Sequence, residues 1–448
     1  MTPCTVKEIC AAVGGTLLQD GGVITGVSTD SRHVAAGELF IPLVGERFDG
    51  HDYLEKALIG GAEGCLTMRA PAEMVPGKGY ILVDDTRLAL KALASWYRGK
   101  FAIPVVQVTG SAGKTTTKEM IACVLARRYH TLRTEANYNN DIGTPQMLLR
   151  LTPEHQAAVI ETGMNHFGEI RYLGEMVRPH FAVITNVGDA HIENMGGTRQ
   201  GTLRAKCEIF ENLDKDGVAV LCGDDALLRE LDLPFRTLLC GEGENCNVRV
   251  TDVVEKGMDG TDCVVTTPRG RYALTIPTPG RYMIYAAAMA AAIGEELGLT
   301  AEEIAAGVAS YAPVGSRMKV ARLPGGRMVI DDSYNANPQA MAEALKCLMQ
   351  TPCRRRVAVL GDMGELGELG KSAHEALGRL TAEMGLDGVV AIGALSRGIG
   401  LENPAALWFA TIDEAMPSIR ALFTEGTAVL VKASHAMAFH KIAEELER

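Results

Sequence analysis

PVVQVTGSAGKTTTKEM, Pro104 to Met120, decides how the chain must be read. Val105, Val106 and Val108, with Gln107 between them, predict a buried strand. Gly110-Ser-Ala-Gly113 predicts a tight turn, and Met120, Ile121, Val124 and Leu125 predict a helix with one apolar side. Strand, glycine turn and helix in that order, with Lys114-Thr115 opening the helix, make an anion cradle. Backbone N–H groups of Gly110, Ser111, Ala112, Gly113 and Thr116 and the positive end of the helix dipole face a phosphate. Lys114 adds a full charge, and the Thr115 hydroxyl suits Mg²⁺. The spacing is GxxGKT, shorter than GxxxxGK[ST], because Val108 stands where the longer motif has its first glycine. The competing reading is an ordinary turn with a surface lysine. The order of elements and the Lys-Thr-Thr-Thr run favour a nucleoside triphosphate.

At 448 residues the chain is long enough for about three domains of ordinary size. A hydrophobic content of 47% fits a soluble globular protein with substantial cores. The net charge of −11 argues against wholesale binding to nucleic acid or a membrane surface. Eleven cysteines without a CxxC or paired metal spacing predict reduced thiols in a cytoplasmic protein. The opening MTPCTVKEICAAVGG has neither a basic n-region nor a long apolar run, so it does not read as a signal peptide, and no stretch approaches a membrane span.

Outward from the turn, three α/β units are predicted: 1–100, 101–313 and 314–448. The first alternates short strands (VITGVSTD, ELFIPLVG, GCLTM, YILV) with helices (TVKEICAAV, HDYLEKALIGGA, TRLALKALASWYRG). Between them lie Ser28-Thr-Asp-Ser-Arg32 and Gly45 to Tyr53, polar loops that fit either a ligand site or solvated turns capping their own backbone. The second alternates strands and helices as a parallel, doubly wound sheet, with a β flank over 240–278 and an alanine-rich helix from Tyr282 to Leu297. Glu161 and His191 follow strand ends in this unit, on the side of the glycine turn. The third has strands MVIDD, RVAVLGD, GVVAIG, ALWFA and TAVLVKAS in a dinucleotide-fold pattern, with polar loops at 331–337 and 361–367.

Phosphoryl transfer needs charge neutralisation and positioning, usually by lysine and one or two Mg²⁺. Thr115 and Glu161 are natural oxygen ligands for one ion. His191 alone reads equally well as a hydrogen-bonded loop histidine, and Lys206 as a surface lysine paired with Glu208 or Glu211. Carbamylated by CO₂, Lys206 would instead be an anionic oxygen ligand.

The set TGSAGKTTT, NYNNDIGTP, ETGMNHFGEI, TNVGDAHIE, RAKCEIF, GSRM, DDSYNANP and GDMGELG resembles the Mur ligase family over essentially the whole chain and in the family's order. The resemblance implies a UDP-sugar domain, a central P-loop ATPase domain and a C-terminal domain. It implies a branch that uses ATP to join D-alanyl-D-alanine to UDP-N-acetylmuramoyl-tripeptide through an acyl phosphate, in a monomeric cytoplasmic enzyme with two Mg²⁺. Lys114 would contact the ATP phosphates, Thr115 and Glu161 would take the first ion, and His191 and carbamylated Lys206 the second. Asn140 matches the family's central asparagine at the nucleotide or metal site, while Arg317 and Asp331 match residues that reach back to ATP. Ser31, Arg32, Asp49 and His51 fall in loops resembling the UDP-sugar site, and Asn335, Asn337, Asp362 and Glu365 in loops near the incoming dipeptide.

Two departures stand out. Met283 and Ala286 replace amides expected ahead of the alanine-rich helix, and His435 in Lys432-Ala-Ser-His435 replaces an arginine. A sibling ligase adding a diamino acid or glutamate is the nearest alternative; the DNPR segment of the diamino-acid enzymes is absent, while DDSYNANP is present. Folyl-polyglutamate synthesis fits less well with a separate first unit. A non-catalytic precursor-binding paralogue has only the altered segment in its favour.

Overall fold

The computed structural model describes residues 1–189 and 192–448. It partitions into two compact units: Met1–Thr109 with Tyr129–Val183 and Ala205–Ala219, and Gly110–Arg128 with Ile184–Arg204 and Val220–Arg448.

In the first unit, a five-stranded sheet runs in the order Thr16–Gln19, Gly79–Leu82, Gly64–Thr67, Glu38–Phe40, Gly26–Ser28. Only its first pair is antiparallel. The helix Thr86–Arg98 starts at Asp85, whose carboxylate accepts the N–H groups of Arg87 and Leu88. It buries Thr86, Ala89, Leu90, Leu93, Ala94 and Tyr97, the three-and-four spacing of one helical face. That face joins a core that includes Ile81 and Leu66 from the sheet and Val105, Leu148, Ile160 and Met176 from further along the chain. The strands Val105–Thr109 and Ala157–Glu161 pair in parallel and are buried throughout. Both faces are covered, so they read as continuous apolar runs rather than alternating ones.

In the second unit, the strands Arg236–Gly241 and Val248–Glu255 pair in parallel, and the antiparallel strands Thr261–Thr266 and Arg271–Ile276 extend them. This is the β flank foreseen over 240–278. A separate six-stranded sheet runs in the order Lys319–Leu323, Arg327–Asp331, Thr427–Lys432, Arg355–Gly361, Gly388–Ile392, Leu407–Phe409, parallel except for the first pair. One face of that sheet buries Met341, Leu345 and Leu348 from the helix Pro338–Gln350, and the other buries Met416, Ile419, Ile442 and Leu446 from two later helices. Helices on both sides make it doubly wound.

The helix Lys114–Leu125 differs from its expected one-sided pattern. Thr117, Lys118 and Glu119 are buried along with Met120, Ile121, Val124 and Leu125. The helices Met283–Glu296 and Ala301–Ala309 pack on it, and their residues lie far away in sequence. Two other helices are shorter than expected. The predicted 51–62 helix is a 3₁₀ turn, Gly50–Tyr53, followed by Leu54–Ile59, and RQGTLRAKCEIFENL, residues 199–213, whose pattern predicts one helix, is Arg199–Cys207 followed by a 3₁₀ turn, Glu208–Asn212. The alanine-rich helix spans Met283–Glu296. No helix among the described residues is long and apolar enough to cross a membrane.

At Gly307 two of these helices approach closely: a Cβ there would lie 2.5 Å from Cα of Val124. In an open helix Gly→Ala stabilises by up to about 1 kcal/mol. At this contact Gly307→Ala should instead destabilise, by about 1–3 kcal/mol for an overpacked site. The denaturation midpoint of the variant reports the sign, and a rise would contradict the close contact.

Candidate functional site

The glycine turn lies in the second unit. Gly113 caps the helix Lys114–Leu125 in the left-handed region (φ 76°), and no side chain caps that helix start. A Cβ on Gly110 would sit 1.8 Å from Oγ1 of Thr185, so only glycine fits there. The segment 185–188 holds the turn through hydrogen bonds to both of its sides. The Thr185 hydroxyl donates to the Ala112 carbonyl at 2.6 Å, and Nδ2 of Asn186 donates to the same oxygen at 3.1 Å. Oδ1 of Asn186 accepts the Ala112 N–H at 2.9 Å, and the Ser111 N–H donates to the Asn186 carbonyl at 3.1 Å. The Gly188 N–H donates to Oγ of Ser111 at 2.8 Å. Val187 N–H in turn donates to Asp225, the carboxylate that also caps the helix Ala226–Arg229.

Lys114 folds back over the turn, its ammonium donating to the Gly110 carbonyl at 2.8 Å. Thr115 is buried. Thr116 is hydrogen-bonded to the hydroxyl of Tyr311, whose pKa burial pushes up to about 12. The arrangement presents a positive helix end, a lysine and a buried hydroxyl on one rigid turn. Chemically it is suited to an anion bearing several oxygens.

Elsewhere in this unit the Arg317 guanidinium lies 3.6 Å over the Tyr334 ring, and the His435 ring stands 5.2 Å from Tyr334. Asp331 is buried and accepts both the N–H and the hydroxyl of Ser333, at 3.1 and 2.6 Å. Oδ1 of Asn335 accepts the Ala336 N–H, and Asn337 caps the helix Pro338–Gln350 through the Ala340 N–H. Asp362 accepts the N–H and hydroxyl of Ser396, both at 2.7 Å. Glu365 holds a left-handed backbone (φ 61°) in the same loop. Met283 and Ala286 are buried inside their helix. Beside them Tyr285 donates to Asp224 at 3.0 Å, and Arg281 pairs with Glu242 and Glu255.

In the first unit Glu161 is the last residue of its strand, rather than just beyond it, and is almost fully buried. Nδ2 of Asn139 donates to its carboxylate at 2.9 Å, and its own N–H donates to Oγ1 of Thr134. Asn140 turns the other way, accepting the N–H groups of Ile142 and Gly143 at 3.2 and 2.8 Å. Lys206 is buried (2% exposed) rather than at the surface. Glu208 accepts the Gly168 and Arg171 N–H groups, and Glu211 pairs with the Arg171 side chain. His191 lies outside the described residues.

The polar loops of residues 1–100 largely satisfy themselves. Asp30 receives the Arg32 guanidinium through two bonds of 2.9 Å, which hold its carboxyl well below the usual range, and Ser31 lies in the same turn. Asp49 accepts the His51 N–H and ring Nδ1, and Nε2 of the buried His51 accepts the Met68 N–H at 3.1 Å.

Three family models match in chain order: the Mur ligase family catalytic domain over 23–98, the Mur ligase middle domain over 108–294, and the Mur ligase glutamate ligase domain over 316–435. The chain is 36% identical to the UDP-N-acetylmuramoyl-tripeptide–D-alanyl-D-alanine ligase of Escherichia coli K12, across 100% of this chain and 99% of that protein. It belongs to the Mur ligase family. The crystal structure of MurF from Acinetobacter baumannii superposes with a TM-score of 0.93 at 34% identity, covering 100% and 99% of the two chains. MurF from Thermotoga maritima, solved in complex with ADP, superposes at 0.84 with 29% identity, covering 94% of this chain and 97% of that one.

As a Mur ligase the chain has its three α/β domains, and the hydrogen bonds from Thr185 and Asn186 are what sequence reading missed. Their one visible signal was a polar pair, Thr-Asn, directly after a buried apolar strand. Asn186→Ala should therefore speed amide hydrogen exchange at Ala112 by about tenfold, the equivalent of one lost hydrogen bond. Asn186→Asp, which keeps an acceptor for that N–H, should show a smaller rise. Unchanged exchange in Asn186→Ala would contradict the latch.

Proposed function

We propose that this Mur ligase is an ATP-dependent, ADP-forming carboxylate–amine ligase that joins D-alanyl-D-alanine to UDP-N-acetylmuramoyl-tripeptide in peptidoglycan precursor synthesis. End-to-end likeness to ligases of that name carries the reading. The latched glycine turn supplies the physical support: a rigid anion cradle beside a lysine.

In this reading the domains are 1–100 for the UDP-sugar, 101–313 for ATP and 314–448 for the closing lobe. The three matched segments fall within those bounds. A carboxylate oxygen of the tripeptide attacks the γ-phosphorus of ATP, forming one P–O bond while the bond to the β-phosphate oxygen breaks and ADP leaves. The dipeptide amine then attacks the acyl carbon, loses a proton, and the tetrahedral intermediate expels phosphate. Lys114 and the N–H groups at the helix start, from Gly113 to Thr116, hold the phosphates, those of Ser111 and Ala112 being taken by Asn186, and the fixed positive dipole there favours the charge that gathers on the transferring oxygens. Asn140, Arg317 and Asp331 serve the nucleotide. Ser31, Arg32, Asp49 and His51 face the UDP-sugar, and Asn335, Asn337, Asp362 and Glu365 the dipeptide.

Two Mg²⁺ ions fit the donor chemistry. The family resemblance assigns Thr115 and Glu161, each buried in its own unit, to one ion, and His191 and a carbamate on Lys206 to the other. No group of three or more His, Cys, Asp or Glu side chains among the described residues is arranged to hold a metal. Ions that take most of their oxygens from nucleotide and water, as Mg²⁺ does, need no such group. When bound they would neutralise phosphate charge. The enzyme in this reading is a cytoplasmic monomer, and the net charge of −11 argues against wholesale binding to nucleic acid or a membrane surface.

Phosphate release tests the reaction: it should need ATP, nucleotide-linked tripeptide and D-Ala-D-Ala together, and be near background if either co-substrate is left out. Release from ATP alone at the full rate would point to a simple hydrolase. Lys206→Ala should reduce turnover by about a hundred- to a thousandfold, the scale of losing one electrostatic stabiliser. A small carboxylate should partly rescue it, while Lys206→Arg should not be rescued. Near-normal turnover in Lys206→Ala would remove the carbamate from the account.

A further inference from the structure

The six-stranded sheet places its last strand in chain order, Thr427–Lys432, between Arg327–Asp331 and Arg355–Gly361. Asp331 is in register with Val431, and Leu360 with Lys432. The loops leaving the two flanking strands, 331–337 and 361–367, therefore emerge on either side of the turn Lys432-Ala-Ser-His435. Each is bonded to it.

Lys432 is buried, an unusual place for an ammonium, and its Nζ reaches into the first loop. Its Nζ donates to Oδ2 of Asp332 at 2.6 Å, to the Asp332 carbonyl at 3.3 Å and to the Asn335 carbonyl at 2.9 Å. Oδ1 of Asp332 accepts the Met318 N–H at 3.1 Å, and burial raises the Asp332 carboxyl pKa while Lys432 opposes the rise. Ser434 serves the second loop. Its hydroxyl oxygen accepts the Gly364 N–H at 2.7 Å, and its own N–H donates to the Asp362 carbonyl at 3.1 Å. His435 completes the set against Tyr334, whose ring also carries Arg317.

We propose that Lys432 and Ser434 are positioning residues that clamp the 331–337 and 361–367 loops at a fixed separation, and so set the affinity for the incoming dipeptide amine. This rests on the ligase reading, in which those loops face the dipeptide. Neither residue needs to touch substrate. One strand end fixes both loops, so loosening either bond lets one wall of the dipeptide site move independently of the other.

Ser434→Ala removes one acceptor with little risk to the fold. It should raise KM for D-Ala-D-Ala by about tenfold, the scale of one hydrogen bond. KM for ATP and for the nucleotide-linked tripeptide should stay within about twofold, and Ser434→Thr, which keeps the hydroxyl, should recover most of the loss. Amide exchange at Gly364 should quicken in Ser434→Ala and not in Ser434→Thr. Lys432→Met combined with Asp332→Asn leaves no lone buried charge and should quicken exchange across 334–336. An unchanged dipeptide KM, an equal rise in all three constants, or unchanged exchange at Gly364 would overturn the clamp. If the parent protein releases no phosphate with all three substrates, the ligase reading fails instead, and the exchange measurements still decide whether the clamp exists.

Discussion

Two side chains from one strand end, Thr185 and Asn186, hold the glycine turn in shape. A turn built from Gly110, Ser111, Ala112 and Gly113 has little side-chain packing of its own and would otherwise sample many conformations. The Ala112 carbonyl accepts from both side chains, and the Ala112 N–H is taken by the amide oxygen of Asn186. With those backbone groups satisfied by protein, the ordering cost is met during folding rather than when a ligand arrives. Preorganised donors are the largest electrostatic contribution an enzyme makes to a transition state that gathers negative charge. The close fit of Gly110 against Thr185 shows how tightly the two segments are matched.

The same logic recurs in the doubly wound sheet of the C-terminal half. Inserting the final strand between two earlier ones brings three loops to one edge, and side chains from the middle loop tie down its neighbours. A buried lysine paired with a buried carboxylate is a costly way to hold a loop, because desolvation opposes both charges. Its three acceptors around one ammonium make the geometry definite. Such a pair trades stability for a single defined loop position.

Much of the fold could be read directly. The buried strand Val105–Thr109, its glycine turn and the following helix were visible because local pattern and tertiary environment agree there. The strands ending at Asp331, Gly361 and Lys432 were visible as apolar runs for the same reason. What escaped was long-range. The helix Lys114–Leu125 is buried all round because neighbours from residues 283–309 pack on it, and nothing within its own sequence announces them. Thr185 and Asn186 act across some seventy residues. Lys432 ends an apolar strand, where a lysine ordinarily marks emergence into solvent, and its burial follows from Asp332 one hundred residues away. At Asp49 and His51 local reading left a ligand site and a self-capping turn equally open, because the same side chains serve both.

The account turns on one transfer: the terminal phosphoryl of ATP passes to the carboxylate of the tripeptide before the amide bond is made. Tripeptide labelled with ¹⁸O in that carboxylate, incubated with ATP, magnesium and D-Ala-D-Ala, tests it directly by mass spectrometry of the released phosphate. The account predicts one ¹⁸O in each phosphate for every peptide lengthened. Unlabelled phosphate accompanying lengthened peptide would contradict an acyl phosphate, and labelled tripeptide left unchanged while ADP accumulates would contradict the ligase itself.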